Sequence, residues 1–401
     1  MTNPYREIFN APGSVAFSAT GFIARLPLSM VTLGIVTMVS QTHGTYWLAG
    51  AVSATFALSN ALVAPQISRL VDRFGQSRIL PVFSLITVLA LAGLMLSARY
   101  NAPAWTLFVF AMLAGFMPSM TALVRARWTE IYRDTPQLRT AFAFESVVDE
   151  IIYMVGPIIA IGLSVALFPQ AGPLAATLFL AVGSILFVAQ KSTEPAIHPQ
   201  DRTDNSSVIR LPSLQIIAVT LAAIGALFGT AEVTAIAFAE EQGQKAAAGI
   251  ALASYAAGSL IVGLIFGALK LRMPLAKQFL LAISLAMLTT LPLLIVTGIG
   301  GLSIALFLAG AAVSPTIIIS MGLIERLVPA SKLTEGITWA MTGVMIGMAL
   351  GSSLSGWVID EYGASSGFYV SVASGLIAFI SAFVFCVRFS PRPHGQLKTA
   401  V

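Results

Sequence analysis

Apolar stretches long enough to cross a lipid bilayer recur along the whole chain, from Val15 to Phe385. A helix of about 20 apolar residues spans a hydrocarbon core about 30 Å thick, and lipid admits only helices or closed barrels because backbone polar groups find no water there. The runs are continuous rather than alternating, which indicates helices. Only 10% of the residues are charged, against roughly a quarter in soluble domains. The sequence therefore predicts an all-α membrane protein with twelve transmembrane helices, at about 15–39, 46–69, 79–98, 104–126, 141–167, 173–190, 213–238, 246–269, 275–297, 302–324, 334–358 and 366–387.

The basic residues indicate the orientation, because Lys and Arg cross a membrane reluctantly during insertion. Nearly all of the 22 basic residues fall near alternate helix ends, on the side of the amino terminus. The other side receives Arg99 and Lys245, and Arg25 lies inside helix 1. We therefore expect both termini in the cytoplasm, and a net charge of +5 that reflects topology rather than nucleic-acid binding. A short-looped chain with one cysteine, Cys386, and no cleavable leader is typical of a bacterial inner membrane protein.

A polar, proline-containing segment, Lys191 to Ser213, divides the predicted helices into two sets of six. The two sets resemble each other, since AGAVSATFALSNALVAP from Ala49 is similar to AGIALASYAAGSLIVGL from Ala248. Internal repeats of this kind are common in secondary transporters. We expect an amino-terminal six-helix bundle at 1–190, a cytoplasmic linker at 191–213 and a carboxy-terminal six-helix bundle at 214–401.

The loop after helix 2, SRLVDRFGQSR at Ser68–Arg78, carries charges of both signs. It resembles the helix 2–3 signature G-x-L-A-D-R-x-G-R-K-x of the major facilitator superfamily, with Ser68 in place of the first glycine and Gln76 in place of a basic residue. The resemblance covers essentially the whole chain and implies the fold of that superfamily, with two pseudo-symmetric six-helix bundles. It also implies that this loop latches the bundles together in the outward-facing state, with a tight turn at Gly75. The matching positions are Leu70, Asp72, Arg73, Gly75 and Arg78.

Helix 5 contains three carboxylates in the apolar stretch FESVVDEIIYMVGP, namely Glu145, Asp149 and Glu150. Glu145 and Asp149 share a helix face, whereas Glu150 is rotated by about 100° from Asp149. An unpaired charge at membrane depth costs about 2.5–3.5 kcal/mol on insertion scales, so such residues mark function. Burial and like-charge crowding both favour the protonated form of a carboxylate. We therefore predict that the three residues carry protons.

The end of helix 5 and its counterpart in helix 11 are rich in small residues. Gly156 and Pro157 resemble the core of the helix-5 antiporter motif G-x-x-x-G-P-x-x-G-G of the superfamily, but other residues replace most of its glycines. The resemblance suggests antiport. In helix 11, Gly343, Gly347 and Gly351 recur every four residues, and we expect them to pack closely against the opposite bundle.

Arg25 and Glu232 are the candidates for setting the charge preference of a substrate. Arg25 is taken as the only basic residue well inside a span, so it either pairs statically with Glu145 or Asp149, exchanges partners as protons arrive, or holds a substrate anion. Glu232 lies on helix 7, which lines the cavity in relatives. Four further residues could line an apolar pocket: Phe22, Met117, Tyr153 and Phe228.

These features favour a secondary transporter driven by the proton gradient, without cofactor or metal ion. The chain has no G-x-x-x-x-G-K-[ST] loop for ATP and no grouping of nucleophile and base, so it is not expected to be an enzyme. His43, His198 and His394 are predicted in loops, which argues against an intramembrane metal site.

The first hypothesis is a monomeric exporter that exchanges protons for small amphipathic molecules or metabolites. An importer or passive facilitator of a small solute is the alternative. A non-transporting membrane sensor is a remote one, because the longest polar segment is the linker at 191–213.

Overall fold

The structure is a computed structural model and describes residues 4–43, 46–197, 206–244, 247–269, 271 and 273–389. His198, Lys245 and His394 lie outside the described residues. His43, predicted in a loop, is the last residue of the first membrane helix.

The described residues form twelve membrane helices in the predicted order, and the fold class is confirmed. Eleven of them are long and apolar enough to cross a membrane, and the remaining one begins with the shorter apolar helix Ala104–Ala114. The helices are α1 (Ser14–Arg25 and Pro27–His43), α2 (Tyr46–Phe74), α3 (Gln76–Arg99), α4 (Ala104–Ala114 and Met120–Tyr132), α5 (Pro136–Ala166), α6 (Ala171–Ala189), α7 (Pro212–Glu241), α8 (Ala248–Ala268), α9 (Leu275–Leu288), α10 (Ile299–Ala311 and Val313–Leu327), α11 (Leu333–Tyr362) and α12 (Phe368–Phe389).

Two interruptions shape the amino-terminal bundle. In α1 the helix breaks at Leu26, because Pro27 has no N–H to continue the hydrogen-bond ladder. In α4 it breaks over residues 115–119, which contain Gly115 and Pro118. The side chain of Asn60 on α2 satisfies the freed backbone by donating to the carbonyls of Gly115 and Met117 at 3.0 and 2.9 Å. After the break α4 continues to Tyr132, beyond the predicted end at 126.

The glycines of α11 pack against α7 of their own bundle, so the prediction that they face the opposite bundle is wrong. A Cβ atom on any of them would run into a backbone carbonyl of α7, so only glycine permits this approach. The spacing of four residues correctly indicates one tightly packed helix face, but it does not identify the partner helix. The facing pairs are Gly343 with Ala218, Gly347 with Ala222 and Gly351 with Ala226.

The two bundles meet at the membrane face that carries residue 4 and the loop after α2, which we call the basic face because Arg69, Arg73, Arg78 and Arg133 lie there. Several hydrogen bonds join the bundles near this face, and two of them are accepted by Asp72 from the start of α11. A contact between Glu150 and Ser259 lies deeper, in the middle of the helices, so the structure is closed on this side. Three other bonds near the basic face join Tyr5 to the Leu264 carbonyl (2.5 Å), Ser68 to Thr338 (2.8 Å) and Thr140 to the Gly267 carbonyl (3.0 Å).

Burial raises the pKa of the Tyr5 hydroxyl to about 12, so this group stays protonated and keeps donating to Leu264 at physiological pH. The predicted division of the chain at residues 191–213 stays a prediction.

Candidate functional site

Arg25 lies at the break in α1 and binds two of the helix-5 carboxylates. Its Nη2 atom is 2.6 Å from Glu145 Oε2, and its Nη1 donates to Asp149 Oδ1 at 3.0 Å. Its Nε donates to the Gly21 carbonyl at 3.2 Å. Because the Arg25 and Glu145 side chains have no exposed surface, this pair is fully removed from solvent.

Arg125 on α4 is a second buried cation, which the sequence analysis missed. Its Nη2 donates to Asp149 Oδ2 at 2.8 Å, and its exposed fraction is 1%. The statement that Arg25 is the only basic residue well inside a span is therefore wrong. Gly115 and Pro118 were the available signal, because a break there lets α4 run on to Tyr132 and places Arg125 inside the protein.

Glu145 and Asp149 thus act as counterions of the two arginines. The second oxygen of Glu145 accepts a hydrogen bond from Trp128 Nε1 at 2.5 Å. Trp128 is itself fully buried and packs edge-on against Phe17 with ring centroids 4.7 Å apart. Two positive and two negative groups balance, and removing one partner of such a buried pair costs about 3–5 kcal/mol.

Glu150 differs from the other two carboxylates because it has no cationic partner among the described residues. It reaches across to the carboxy-terminal bundle, where Ser259 on α8 donates to its Oε1 at 2.7 Å. Ser259 in turn lies 2.9 Å from Ser314 on α10. A change in the charge of Glu150 would therefore act directly on a contact between the two bundles.

Two tyrosines, one from each bundle, lie one helix turn from the contact between Glu150 and Ser259. Tyr153 follows Glu150 by three residues on α5, and Tyr255 precedes Ser259 by four residues on α8. Tyr255 makes an edge-to-face contact with Phe228 at 5.5 Å, and the Tyr153 hydroxyl lies 3.7 Å from Met345 Sδ. Acidic groups among aromatic rings suit an organic cation, which ring faces attract.

The remaining predicted cavity residues lie elsewhere. Met117 is buried in the break of α4, and Phe22 packs against the core of the amino-terminal bundle. Glu232 is partly buried in the second half of α7 and has no hydrogen-bond or ion-pair partner in the described part of the chain. Like Glu150, it lies in a membrane helix without a counterion in that part of the chain.

The last turn of α2 joins the bundles through Asp72, and the segment Ser68–Arg78, predicted as a loop, is helical except at Gly75. The two carboxylate oxygens of Asp72 accept the backbone N–H groups of Thr334 (3.2 Å) and Glu335 (2.9 Å) in the first turn of α11. An anion at a helix amino terminus satisfies free donors and complements the helix dipole. Gly75 adopts φ of +91°, which allows the tight turn.

The other residues of this motif have smaller roles in the contact. Leu70 is partly exposed, Arg73 stacks on the adjacent Phe74 ring at 5.3 Å, and Arg78 is exposed. Arg69, just before them, lies 3.6 Å from Glu335.

Gly156 and Pro157 do not interrupt α5. Gly156 faces Ser29 and Met30 on α1 with no room for a Cβ atom, and the Ser29 hydroxyl donates to the Ile152 carbonyl at 2.9 Å. This close contact holds α5 against the part of α1 that follows its break. No group of three potential metal-binding side chains occurs within the residues that the structure describes.

A sequence model described as Major Facilitator Superfamily matches the chain over residues 17–300 and 216–400. The human organic anion transporter MFSD10 has a similar structure, with a TM-score of 0.70, 14% identity, and coverage of 93% of this chain and 100% of that one. A bacterial homologue of the iron transporter ferroportin in an outward-facing state is also similar, with a TM-score of 0.71, 15% identity, and coverage of 94% of this chain and 100% of that one. A point variant of the E. coli fucose:proton symporter FucP has a TM-score of 0.66, 15% identity, and coverage of 92% of this chain and 98% of that one. At these identities the likeness shows the fold alone, and no curated protein matches the chain.

Proposed function

The chain belongs to the major facilitator superfamily, and from this we propose that it is a proton-coupled exporter that exchanges protons for small amphipathic molecules by alternating access. We place it as a monomer in a bacterial inner membrane with the basic face and both termini in the cytoplasm. The described structure then corresponds to a state closed toward the cytoplasm.

The contact between Glu150 and Ser259 carries this proposal. A carboxylate at membrane depth without a cation is costly unless a proton or a cationic substrate neutralises it. Glu150 offers one negative charge to both, so binding of one weakens binding of the other. Such competition at a single site produces exchange of a substrate for a proton rather than their joint transport.

The two other helix-5 carboxylates have different roles in this proposal. Glu145 is saturated by Arg25 and Trp128 and stabilises the site. Asp149 is shared between Arg25 and Arg125 and keeps 20% of its side chain exposed, so it remains a secondary proton carrier. Glu232 is proposed to favour cationic substrates on their way to the opposite face.

The alternative, an importer that moves substrate and proton together, has a precedent in the fold, since FucP is named a fucose:proton symporter. The direction of the coupled proton flux distinguishes the two. The unpaired Glu150 favours exchange, because a proton and a cation cannot both occupy one carboxylate.

An accumulation screen tests the function. Cells lacking the protein and cells overexpressing it are compared across cationic, zwitterionic and anionic amphipathic compounds, with and without a protonophore. We expect overexpression to lower the accumulation of compounds that carry an ammonium group, and the protonophore to abolish the difference. Higher accumulation on overexpression would indicate import, and equal accumulation of every compound would contradict the proposal.

A further inference from the structure

We propose that Arg125 forms a carboxylate-binding subsite in the transport cavity, and that the transported molecule is a zwitterion with its ammonium group at Glu150 and its carboxylate at Arg125. This inference rests on the proposed function, since it names the substrate class of the same cavity.

The hydrogen bonding of Arg125 is incomplete, in contrast to that of Arg127 two residues later. Every guanidinium nitrogen of Arg127 donates, to the side chains of Gln76 and Thr193 and to the carbonyls of Phe187 and Gln190, at 2.7–3.1 Å. Arg125 donates only through Nη2, and its buried Nε and Nη1 have no partner. Since buried polar groups are nearly always bonded, these two nitrogens call for an acceptor.

The charge around Arg125 favours an anionic acceptor. Arg25 contacts two carboxylates, Glu145 and Asp149, whereas Arg125 contacts only one oxygen of the shared Asp149. Arg125 is therefore the less neutralised of the two cations. A carboxylate forms charge-assisted hydrogen bonds with a guanidinium, which are stronger than those of a neutral carbonyl or water.

Asp149 links Arg125 to Glu150, because Arg125 binds Asp149 at 2.8 Å and Glu150 is the next residue of α5. Tyr153 lies one helix turn further along α5, and its side chain is 37% exposed. From the other bundle, the buried Tyr255 lies one turn before Ser259, which binds Glu150, and the Tyr255 hydroxyl has no partner. A molecule beside Tyr153 therefore lies one helix turn from the unpaired Glu150 carboxylate and from the Asp149–Arg125 pair.

The exchange mechanism needs both charged groups of the substrate, the ammonium group and the carboxylate. A substrate with only a carboxylate would leave Glu150 unneutralised and would bind best together with a proton, which is the behaviour of a symporter. An ammonium group on the same molecule competes with the proton at Glu150, and the carboxylate provides affinity at Arg125. A zwitterion accounts for both features.

Matched ligand pairs test the subsite. The purified full-length protein is titrated with L-leucine and L-leucinamide, L-phenylalanine and L-phenylalaninamide, and L-tryptophan and L-tryptophanamide, and binding is measured from the shift in thermal unfolding. Work near neutral pH keeps most of both ammonium groups charged and limits competition by protons at Glu150, so each pair differs chiefly in the carboxylate. Wild type is compared with Arg125→Gln and with Arg125→Lys, which keeps a charge beside Asp149.

We expect the acid of at least one pair to bind about tenfold more tightly than its amide, as a charge-assisted hydrogen bond implies. Arg125→Gln should abolish this preference while still binding the amide, which shows that the variant is folded. If Arg125→Gln does not fold, Arg125→Lys should reduce the preference.

Equal binding of acid and amide by wild type in every pair would overturn the subsite. So would no binding of any compound, or a preference that persists in the folded Arg125→Gln protein. Export of the amides driven by a pH gradient, without preference for the acids, would remove the subsite and leave the proposed exchange of cations for protons standing.

Discussion

Asp72→Asn should release the contact that closes the basic face. The Asp72 carboxylate accepts two backbone N–H groups, from Thr334 and Glu335, across the bundle interface. Asparagine is similar in shape but has no charge and only one acceptor oxygen. One hydrogen bond and the charge at the amino terminus of α11 are lost together.

The size of the effect follows from these contacts. Removing a helix cap costs about 0.5–2 kcal/mol, and we take the upper end because the lost group is charged and binds two donors. In the alternative state, which is open at the basic face, water solvates these groups. The substitution therefore raises the free energy of the closed state and leaves that of the open state nearly unchanged. A shift of about 2 kcal/mol changes the equilibrium between the two states by about 30-fold.

Cysteine labelling measures this equilibrium. Cys386 is the only native cysteine, so it is first replaced by alanine, and Thr140→Cys then places a reporter in the closed interface beside the Gly267 carbonyl. The rate of reaction with a membrane-permeant maleimide reports the fraction of time that this side is open. We expect Asp72→Asn to raise the rate by about 30-fold, on the energy scale given above.

Arg78→Gln in the same background is the matched control, because Arg78 is exposed and lies in the first turn of α3, six residues after Asp72. It should leave the labelling rate near that of the parent protein. An unchanged rate in Asp72→Asn, or an equal increase in both variants, would refute the role of Asp72 in closing this face.

Two further predictions concern stability and are checked by thermal unfolding of the purified protein. Gly347→Ala should destabilise the protein by about 1–3 kcal/mol, because the added methyl group meets the Ala222 carbonyl. Gly356→Ala is the control and should change the stability little, because a Cβ atom at Gly356 meets no atom within 4 Å. Equal effects of the two substitutions would contradict the packing of α11 on α7. Arg127→Met should destabilise by at least about 3 kcal/mol, because it leaves several buried acceptors unpaired. Arg78→Met is the exposed control for Arg127→Met, and equally small effects would refute a structural role for Arg127.

The twelve helices could be predicted from the sequence because the bilayer imposes a length and an apolar composition on every span. The same constraint says little about interruptions inside a span. The break in α4 depends on Asn60, which binds the freed carbonyls of Gly115 and Met117 from another helix. Gly115 and Pro118 indicate an interruption, but they do not indicate that a contact from another helix lets α4 resume beyond it, so the depth of Arg125 was missed.

The three carboxylates of α5 were identified because acids are rare in apolar spans, but their different roles were not. A rotation of about 100° between adjacent residues decides which of Asp149 and Glu150 meets the buried arginines. The rotation of α5 is set by packing, including the contact of Gly156 with Ser29 on α1. The glycines of α11 show the same limit, since their spacing defines a face but not its partner.

The coupling role of Glu150 is tested most directly in proteoliposomes, with a substrate found in the accumulation screen. Two modes are compared for Glu150→Gln and wild type, namely pH-driven uphill transport and exchange of labelled for unlabelled substrate without a pH gradient. We expect Glu150→Gln to lose the uphill transport and to retain the exchange, because the amide keeps a hydrogen bond to Ser259 but cannot bind and release a proton. Uphill transport at the wild-type rate by Glu150→Gln would contradict the proposed coupling.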